Sequence, residues 1–174
     1  MATAYVAAFS RRPPLFRLAS ALFSVAALFG ALKFSGIYAD EQPHRFVSMI
    51  AGVAGFPAMA ISLGLSDEST LQRGRFSILA LLGLAMIGAL VVMGTGARMY
   101  LDAAALLSTL AVGYASWRQR HRVGMGSAAL ILFGLICFAA KIPSSTILQP
   151  ADVLHLALAV GWLGLSSGYQ SPPR

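Results

Sequence analysis

Six long runs of apolar residues divide the chain, and short polar stretches separate them. A helix that crosses the hydrocarbon core of a bilayer needs about 20 mainly apolar residues, with a range of about 17–25. The sixth run is shorter than this range, and the others fall within it. The pattern therefore predicts an all-α protein, a polytopic membrane helix bundle with six transmembrane helices. The predicted spans are Leu15–Leu32, Phe46–Leu65, Phe76–Gly94, Tyr100–Trp117, Val123–Ala140 and Ala151–Leu165.

The stretches between the runs contain residues that end helices. Residues 33–45 include glycine, proline and charged residues, residues 66–75 read SDESTLQRGR, and residues 118–122 read RQRHR. Short connections favour antiparallel neighbours in a compact bundle. We therefore expect a basic cytoplasmic N-terminus over 1–14, a six-helix transmembrane domain over 15–167, and a short cytoplasmic tail over 168–174.

The distribution of Lys and Arg over the connections predicts the orientation of the bundle. With six spans, the N-terminus, the second and fourth connections and the C-terminus share one side, which holds nine of the 13 Lys and Arg residues. The positive-inside rule places this side, and with it both termini, in the cytoplasm. Asp67 and Glu68 are the acids on the same side, so the formal net charge is +7 inside and zero outside.

Composition narrows the class of protein. Hydrophobic residues make up 57% of the chain and charged residues 11%, whereas soluble domains carry about a quarter charged residues. This excludes a soluble globular enzyme, a disordered chain and a disulfide scaffold. The basic residues are scattered between apolar runs rather than gathered on one exposed face, so no nucleic-acid partner is expected. The predicted partner is the lipid bilayer, joined by a membrane-protein partner or a second copy of the chain.

The predicted location is the bacterial inner membrane. Residues 10–17, SRRPPLFR, resemble a twin-arginine export signal, but no small-residue cleavage site follows them. An organellar transit peptide is the other alternative, because no acidic residue precedes Asp40. A basic cytoplasmic flank on a retained first helix explains the same residues more simply.

Small residues and one proline indicate how the predicted helices pack. In lipid, helices associate through close contact of small residues, and pairs four positions apart recur, such as Ala51 with Gly55 and Ala157 with Gly161. Pro57 lies in the middle of the second span. Because it lacks an amide proton, it leaves the Val53 carbonyl without its usual helical partner. We expect a kink in this helix.

Polar and ionisable residues gather at the predicted outer ends of the even-numbered spans. His44 and Ser48 lie one helical turn apart at the start of the second span, Asp102 opens the fourth, and Asp152 and His155 open the sixth. Ionisable groups in membrane helices are costly and often functional. If these helices adjoin, His44, Asp102, Asp152 and His155 could bind a divalent metal such as zinc, since histidine and carboxylate are its usual ligands.

Helix ends explain the same residues without a metal. A carboxylate in the first turn of a helix, as at Asp102 and Asp152, satisfies free amide groups and the helix dipole. His44 then lies in a hydrated connection beside Arg45. His155 lies about one turn inside the span and is the strongest single candidate for a functional residue.

The last span contains the stretch QPADVLHLALAVGWLG. This stretch resembles the final-helix motif of bacterial membrane proteins similar to the CREST superfamily, which includes alkaline ceramidases and progestin/adipoQ-type receptors. The resemblance implies zinc held by histidines on an early and a late helix and hydrolysis of lipid amides, with His44, Ser48 and His155 at the matching positions. The sequence departs from the family because residue 159 is Ala where a second His is usual, and because His44 precedes Ser48. The predicted site also faces outward, whereas the family's site is nearer the cytoplasm.

Three hypotheses for function follow. The first is a non-catalytic or accessory module that acts through interactions within the bilayer, since the sequence holds no complete catalytic or transport signature. The second is a metal-dependent hydrolase of lipid-like substrates, in which metal-bound water attacks and Ser48 stabilises the oxyanion. The third is a small transporter, which ranks last because no ionisable residue lies near the centre of a span.

Overall fold

A computed structural model describes residues 3–4, 12–35, 37, 40, 42–65, 69–96, 98–143 and 149–167. Within these residues the chain forms six long helices and no strand. The predicted tail over 168–174 and most of the predicted N-terminal region over 1–14 lie outside the described residues. The helices are α1 (Pro14–Phe34), α2 (Gln42–Gly64), α3 (Gly74–Thr95), α4 (Arg98–Arg118), α5 (Arg122–Ala139) and α6 (Pro150–Ser167).

The predicted all-α fold is confirmed, and each predicted span agrees with one helix to within four residues at either boundary. Four helices of the described chain, α1, α2, α3 and α5, are long and apolar enough to cross a membrane. The other two carry acidic residues near their first turns, Asp102 in α4 and Asp152 in α6, together with several serines. These polar residues lower the mean hydropathy of α4 and α6.

Successive helices run in opposite directions, so that three helices begin at each end of the bundle. Gly30 of α1 contacts His44 of α2, and Gly55 of α2 contacts Phe23 of α1. At the other end of α2, Gln72 donates from Nε2 to the Ser62 carbonyl at 2.8 Å. We call the end at which α1, α3 and α5 begin the basic end, and the end at which α2, α4 and α6 begin the neutral end.

Helix α2 is the central helix of the bundle, and its last turn is held by side chains of two connections. It packs against α1, α3 and α4, and 56% of its most apolar stretch is buried. At the basic end, where the last carbonyls of a helix lack intrahelical partners, Gln72 donates to Ser62. Gln119 donates to the Leu63 carbonyl at 3.1 Å. These bonds satisfy two further carbonyls at the end of α2, beside the Ile61 carbonyl, which accepts from the Leu65 amide at 3.0 Å.

A π-helical segment over Ala51–Gly55 interrupts α2 immediately before Phe56 and Pro57. A π-turn joins the amide of residue i+5 to the carbonyl of residue i. The Ala58 amide can therefore supply to Val53 the bond that Pro57 cannot. This wider turn lies where the sequence predicted a kink, and all of its residues are buried.

Glycines allow α5 and α6 to pack closely in antiparallel directions. A Cβ atom on Gly134 would lie 2.6 Å from the Cβ of Ala157 and 3.3 Å from the Cα of Leu154. A Cβ atom on Gly161 would lie 2.6 Å from the Ile131 side chain. The two distances of 2.6 Å are shorter than any normal carbon–carbon contact, so a larger residue at either position would force its neighbours to shift. The predicted pair of Ala157 and Gly161 is buried in this interface.

An aromatic cluster joins α1, α2 and α6 in the core. The ring of Trp162, which is fully buried, lies 4.6 Å from that of Phe23, 6.2 Å from that of Phe16 and 6.3 Å from that of Phe56. Trp162 also donates from Nε1 to the Ser20 hydroxyl at 2.6 Å. The hydroxyl in turn donates to the Phe16 carbonyl at 2.9 Å. The only polar atom of the indole is thereby satisfied inside the bundle.

Apolar side chains cover the outside of the bundle as well as filling its core. Helix α3 has the highest mean hydropathy of the candidate spans, 2.6, yet only 11% of its most apolar stretch is buried. Hydroxyl residues, in contrast, are buried between the helices: Ser20, Ser62, Ser77, Ser108, Thr109, Ser116 and Ser127.

Candidate functional site

The neutral end brings the first turns of α2, α4 and α6 to the same end of the bundle, as the sequence predicted. Helix α2 adjoins α4, since a Cβ atom on Gly52 would lie 3.1 Å from the Leu101 side chain. Helix α6 begins against α5, through the contact of Leu154 with Gly134. The start of α4 therefore packs on the Ala51–Gly55 segment of α2 rather than on its first turn, and the start of α6 packs on α5.

His44 and Ser48 form the one predicted pair that the described structure brings into contact. The Ser48 hydroxyl lies 3.4 Å from Nδ1 of His44, at the outer limit of a hydrogen bond. The imidazole also packs on α1, where a Cβ atom on Gly30 would lie 3.1 Å from Cε1 of His44. The imidazole is thus half-buried between α1 and α2, held by packing and by the serine one turn below.

Asp152 caps α6. Its Oδ2 accepts a hydrogen bond from the amide of Gln149 at 2.9 Å, and its own amide donates to the Gln149 carbonyl at 2.9 Å. This reciprocal arrangement satisfies an amide group that the helix itself leaves unpaired. The structural interpretation of Asp152, as a residue of a helix start, is therefore confirmed.

Asp102 and His155 project from their helices and are both exposed. Neither side chain makes a hydrogen bond to another residue in the described part of the chain. Among the described residues, no group of three or more His, Cys, Asp or Glu side chains is arranged to hold a metal ion. The described structure therefore does not gather His44, Asp102, Asp152 and His155 into the predicted four-ligand cluster.

The strongest polar arrangement of the described structure lies at the basic end and was missed in the sequence. Arg12 is buried, donates from Nη2 to the Leu165 carbonyl near the end of α6, and lies with its guanidinium 5.4 Å from the centre of the Phe16 ring. It thereby connects the start of α1 with the last turns of α6, next to Trp162 and Ser20. The sequence shows an arginine beside a serine-containing span. Their partners, however, are distant in sequence: Leu165 lies 153 positions from Arg12, and Trp162 lies 142 positions from Ser20.

Two shallow grooves of the described surface both follow α3. The first, of about 290 Å³, lies between α1 and α3 at the basic end and is lined by Pro14, Arg17, Leu18, Ala21, Gly74 and Ile78. The second follows the other half of α3 and is lined by Met86, Ala89, Leu90, Met93 and Gly94. The second groove contains apolar side chains only, whereas the first has a cationic side chain at its edge.

Comparison with protein-family models, with curated proteins and with solved structures finds no significant match to this chain. The resemblance of the α6 sequence to the CREST superfamily therefore stays a prediction.

Proposed function

We propose that the protein is an integral membrane protein of the cytoplasmic membrane, that all six helices cross the bilayer with both termini in the cytoplasm, and that it is a non-catalytic or accessory module. The observation that carries this proposal is the exposure of α3, the most apolar of the candidate spans and the least buried. Soluble monomers rarely expose contiguous apolar patches of more than a few hundred Å². A helix of this kind is at its lowest free energy in contact with lipid or with another membrane helix.

The two less apolar helices, α4 and α6, also carry large apolar side chains on their exposed faces. In α4, Ser108, Thr109 and Ser116 are buried, whereas Leu107, Leu110 and Trp117 on the opposite side are exposed. In α6 the apolar side chains of Leu156, Val160 and Leu163 are exposed, and the exposed ionisable residues, Asp152 and His155, lie near its neutral end. At 1.5 Å per residue, 18 residues span about 27 Å, close to the hydrocarbon thickness of about 30 Å. Both helices are therefore suited to cross the bilayer within the bundle.

Aromatic residues at the basic end support the proposed orientation. Tyr114 and Trp117 are exposed near the end of α4, and their ring centres are 5.9 Å apart. Arg118, Arg120 and Arg122 follow directly and are exposed. Tyr and Trp are enriched at the headgroup level, and Lys and Arg are enriched in cytoplasmic connections. This sequence of residues matches a cytoplasmic membrane interface.

The described polar groups support a module without catalytic machinery. Asp152 is engaged in a helix cap, Ser20 in the bond to Trp162, and Gln72 and Gln119 in the end of α2. Each of these bonds holds one helix end or one helix pair. We infer that the buried polar residues serve the assembly of the bundle and that the exposed apolar helix faces carry its interactions in the bilayer.

Cysteine accessibility tests insertion and orientation. In a Cys137→Ala background, Ser35→Cys places a thiol at the neutral end and Arg120→Cys places one at the basic end, both at exposed positions. A membrane-impermeant maleimide should label the first in intact bacterial cells and the second only after lysis. The reverse pattern would contradict the orientation, and release of the protein from membranes by alkaline carbonate would contradict insertion.

Metal analysis of the purified chain tests the metal-dependent alternative, and mass measurement tests the accessory role. We expect no stoichiometric transition metal, and no change when His155→Ala is compared with the unaltered protein. A stoichiometric zinc content that is lost in His155→Ala would instead support the metal-dependent hydrolase. A stable, partner-free monomer in mild detergent, measured by light scattering, would count against the accessory role.

A further inference from the structure

The groove between α1 and α3 opens at the basic end and runs towards the centre of the bundle. Pro14 and Gly74, the first residues of the two helices, line its mouth, and Leu18, Ala21 and Ile78 line its walls. Because α1 and α3 both begin at this end, they run in the same direction along the groove. The seven positions from Pro14 to Ala21 correspond to about 10 Å along the helix axis.

The helices that form the groove are packed into the bundle on the side away from it. Leu15 and Ala19 of α1 are fully buried with Ala58 of α2, and Leu81 of α3 packs against them. The walls continue beyond the groove at four-residue spacing, through Val25 in α1, which is 43% exposed, and through Leu82 in α3, which is 59% exposed. An acyl chain that enters beside Pro14 would therefore contact apolar side chains along its whole path.

The mouth of the groove is cationic. Arg17 lines the groove itself, and the exposed residues Arg73 and Arg75 flank Gly74. No acidic residue occurs in the first turn of α3, and a Cβ atom on Gly74 would meet nothing within 4 Å, so the surface beside Gly74 is open. The acids of the same connection, residues 67 and 68, lie outside the described residues.

We propose that this groove binds an anionic phospholipid of the cytoplasmic leaflet, with the headgroup phosphate among Arg17, Arg73 and Arg75 and one acyl chain along Leu18, Ala21 and Ile78. The proposal rests on the membrane insertion and orientation proposed above. Basic pockets between transmembrane helices on the cytoplasmic side are suited to anionic headgroups. Charge complementarity selects the headgroup, and the apolar walls select a lipid over a water-soluble phosphate.

Native mass spectrometry of the full chain, released from detergent, measures lipid binding directly. The probes are phosphatidylglycerol and phosphatidylcholine with identical acyl chains. An arginine near an anionic headgroup contributes roughly a fivefold factor to binding. The unaltered protein should retain phosphatidylglycerol at least about tenfold better than phosphatidylcholine, and the triple variant Arg17→Gln, Arg73→Gln, Arg75→Gln should lose this preference.

A matched triple variant controls for net charge. Arg118→Gln, Arg120→Gln and Arg122→Gln remove the same charge from the other basic connection, and they should leave the preference for phosphatidylglycerol within about twofold. Equal losses in the two triple variants would show that only the overall charge attracts the lipid, and would overturn the groove.

A second pair of variants tests the apolar wall without changing charge. Ala21→Trp fills the groove and should lower phosphatidylglycerol binding at least tenfold, whereas Ala129→Trp, at an exposed position of α5, should not change it. This pair decides the result if the arginine variant does not fold. Displacement of the lipid by millimolar inorganic phosphate alone would overturn the role of the acyl chain.

Failure of the lipid-binding proposal can be distinguished from failure of the proposed membrane insertion. A chain that resists carbonate extraction and labels with the expected orientation, but shows no preference for phosphatidylglycerol, refutes the lipid groove alone. A chain that carbonate releases from the membrane refutes the insertion on which the groove depends.

Discussion

The contact between α5 and α6 gives the sharpest test of the packing, because α5 contains two glycines in opposite surroundings. A Cβ atom on Gly134 would meet Ala157 at 2.6 Å and the backbone of Leu154 at 3.3 Å. A Cβ atom on Gly126 would meet nothing within 4 Å. Neither the Cβ of Ala157 nor a Cα can rotate away, so an alanine at position 134 must push the helices apart by about 1 Å to reach a normal carbon–carbon distance.

The two substitutions should change the free energy of unfolding in opposite directions. Replacing glycine by alanine inside a helix stabilises it by roughly 0.5–1 kcal/mol, and Gly126→Ala should show this gain. In Gly134→Ala the same gain is opposed by overpacking, which costs about 1–3 kcal/mol. The two variants should therefore differ by about 1–3 kcal/mol, with Gly134→Ala the less stable.

Thermal unfolding in mild detergent, or unfolding by increasing fractions of a denaturing detergent, measures the difference between the two variants. Gly134→Leu and Gly126→Leu enlarge the added side chain and should widen the gap. If Gly134→Ala were as stable as Gly126→Ala, α6 would not pack on α5 as described. The argument from glycine contacts would then fail for this interface.

Two further predictions concern polar groups. Trp162→Phe and Ser20→Ala each remove the buried hydrogen bond between α6 and α1, and a double-mutant cycle of unfolding free energies should return about 0.6 kcal/mol of coupling, at most about 1.7 kcal/mol; zero coupling would contradict the bond. Asp152→Ala removes the cap of α6 and should lower the free energy of unfolding by about 0.5–2 kcal/mol. Asp102→Ala, at an exposed position without a described partner, should change it by no more than about 0.5 kcal/mol. Equal losses in a chemical unfolding experiment would contradict the assignment of Asp152 as the cap.

The helices could be predicted from the sequence because each long apolar run ends at residues that stop a helix. Gly96, for example, has φ +66°, a conformation that closes α3 and that glycine adopts without strain. The role of Asp152 could also be predicted, since a cap depends on residues close in sequence. The 3.4 Å approach of Ser48 to His44 follows for the same reason from the spacing of one helical turn.

What the sequence did not predict depends on which helix faces meet. The bond from Trp162 to Ser20 and that from Arg12 to Leu165 join opposite ends of the chain. Periodicity in a nearly uniform apolar helix does not define a buried face. The proposed convergence of the first turns of α2, α4 and α6 is not seen in the described residues for this reason, since α4 begins against the middle of α2 and the glycines of α6 fit α5. The π-helical turn was not predicted, because Pro57 indicates only that a backbone hydrogen bond is lost and not how the helix replaces it.

That π-helical turn also fixes how the two halves of α2 are rotated against each other. A π-bulge accommodates one more residue than the α-helical turn it replaces, and one residue corresponds to a rotation of about 100° about the helix axis. Deleting one residue between Ala51 and Gly55 would restore a regular helix while turning Phe56 and Met59 out of the aromatic core. The length of this short segment, rather than its composition, is thus what aligns the imidazole-bearing half of α2 with α1 and the aromatic half with Trp162.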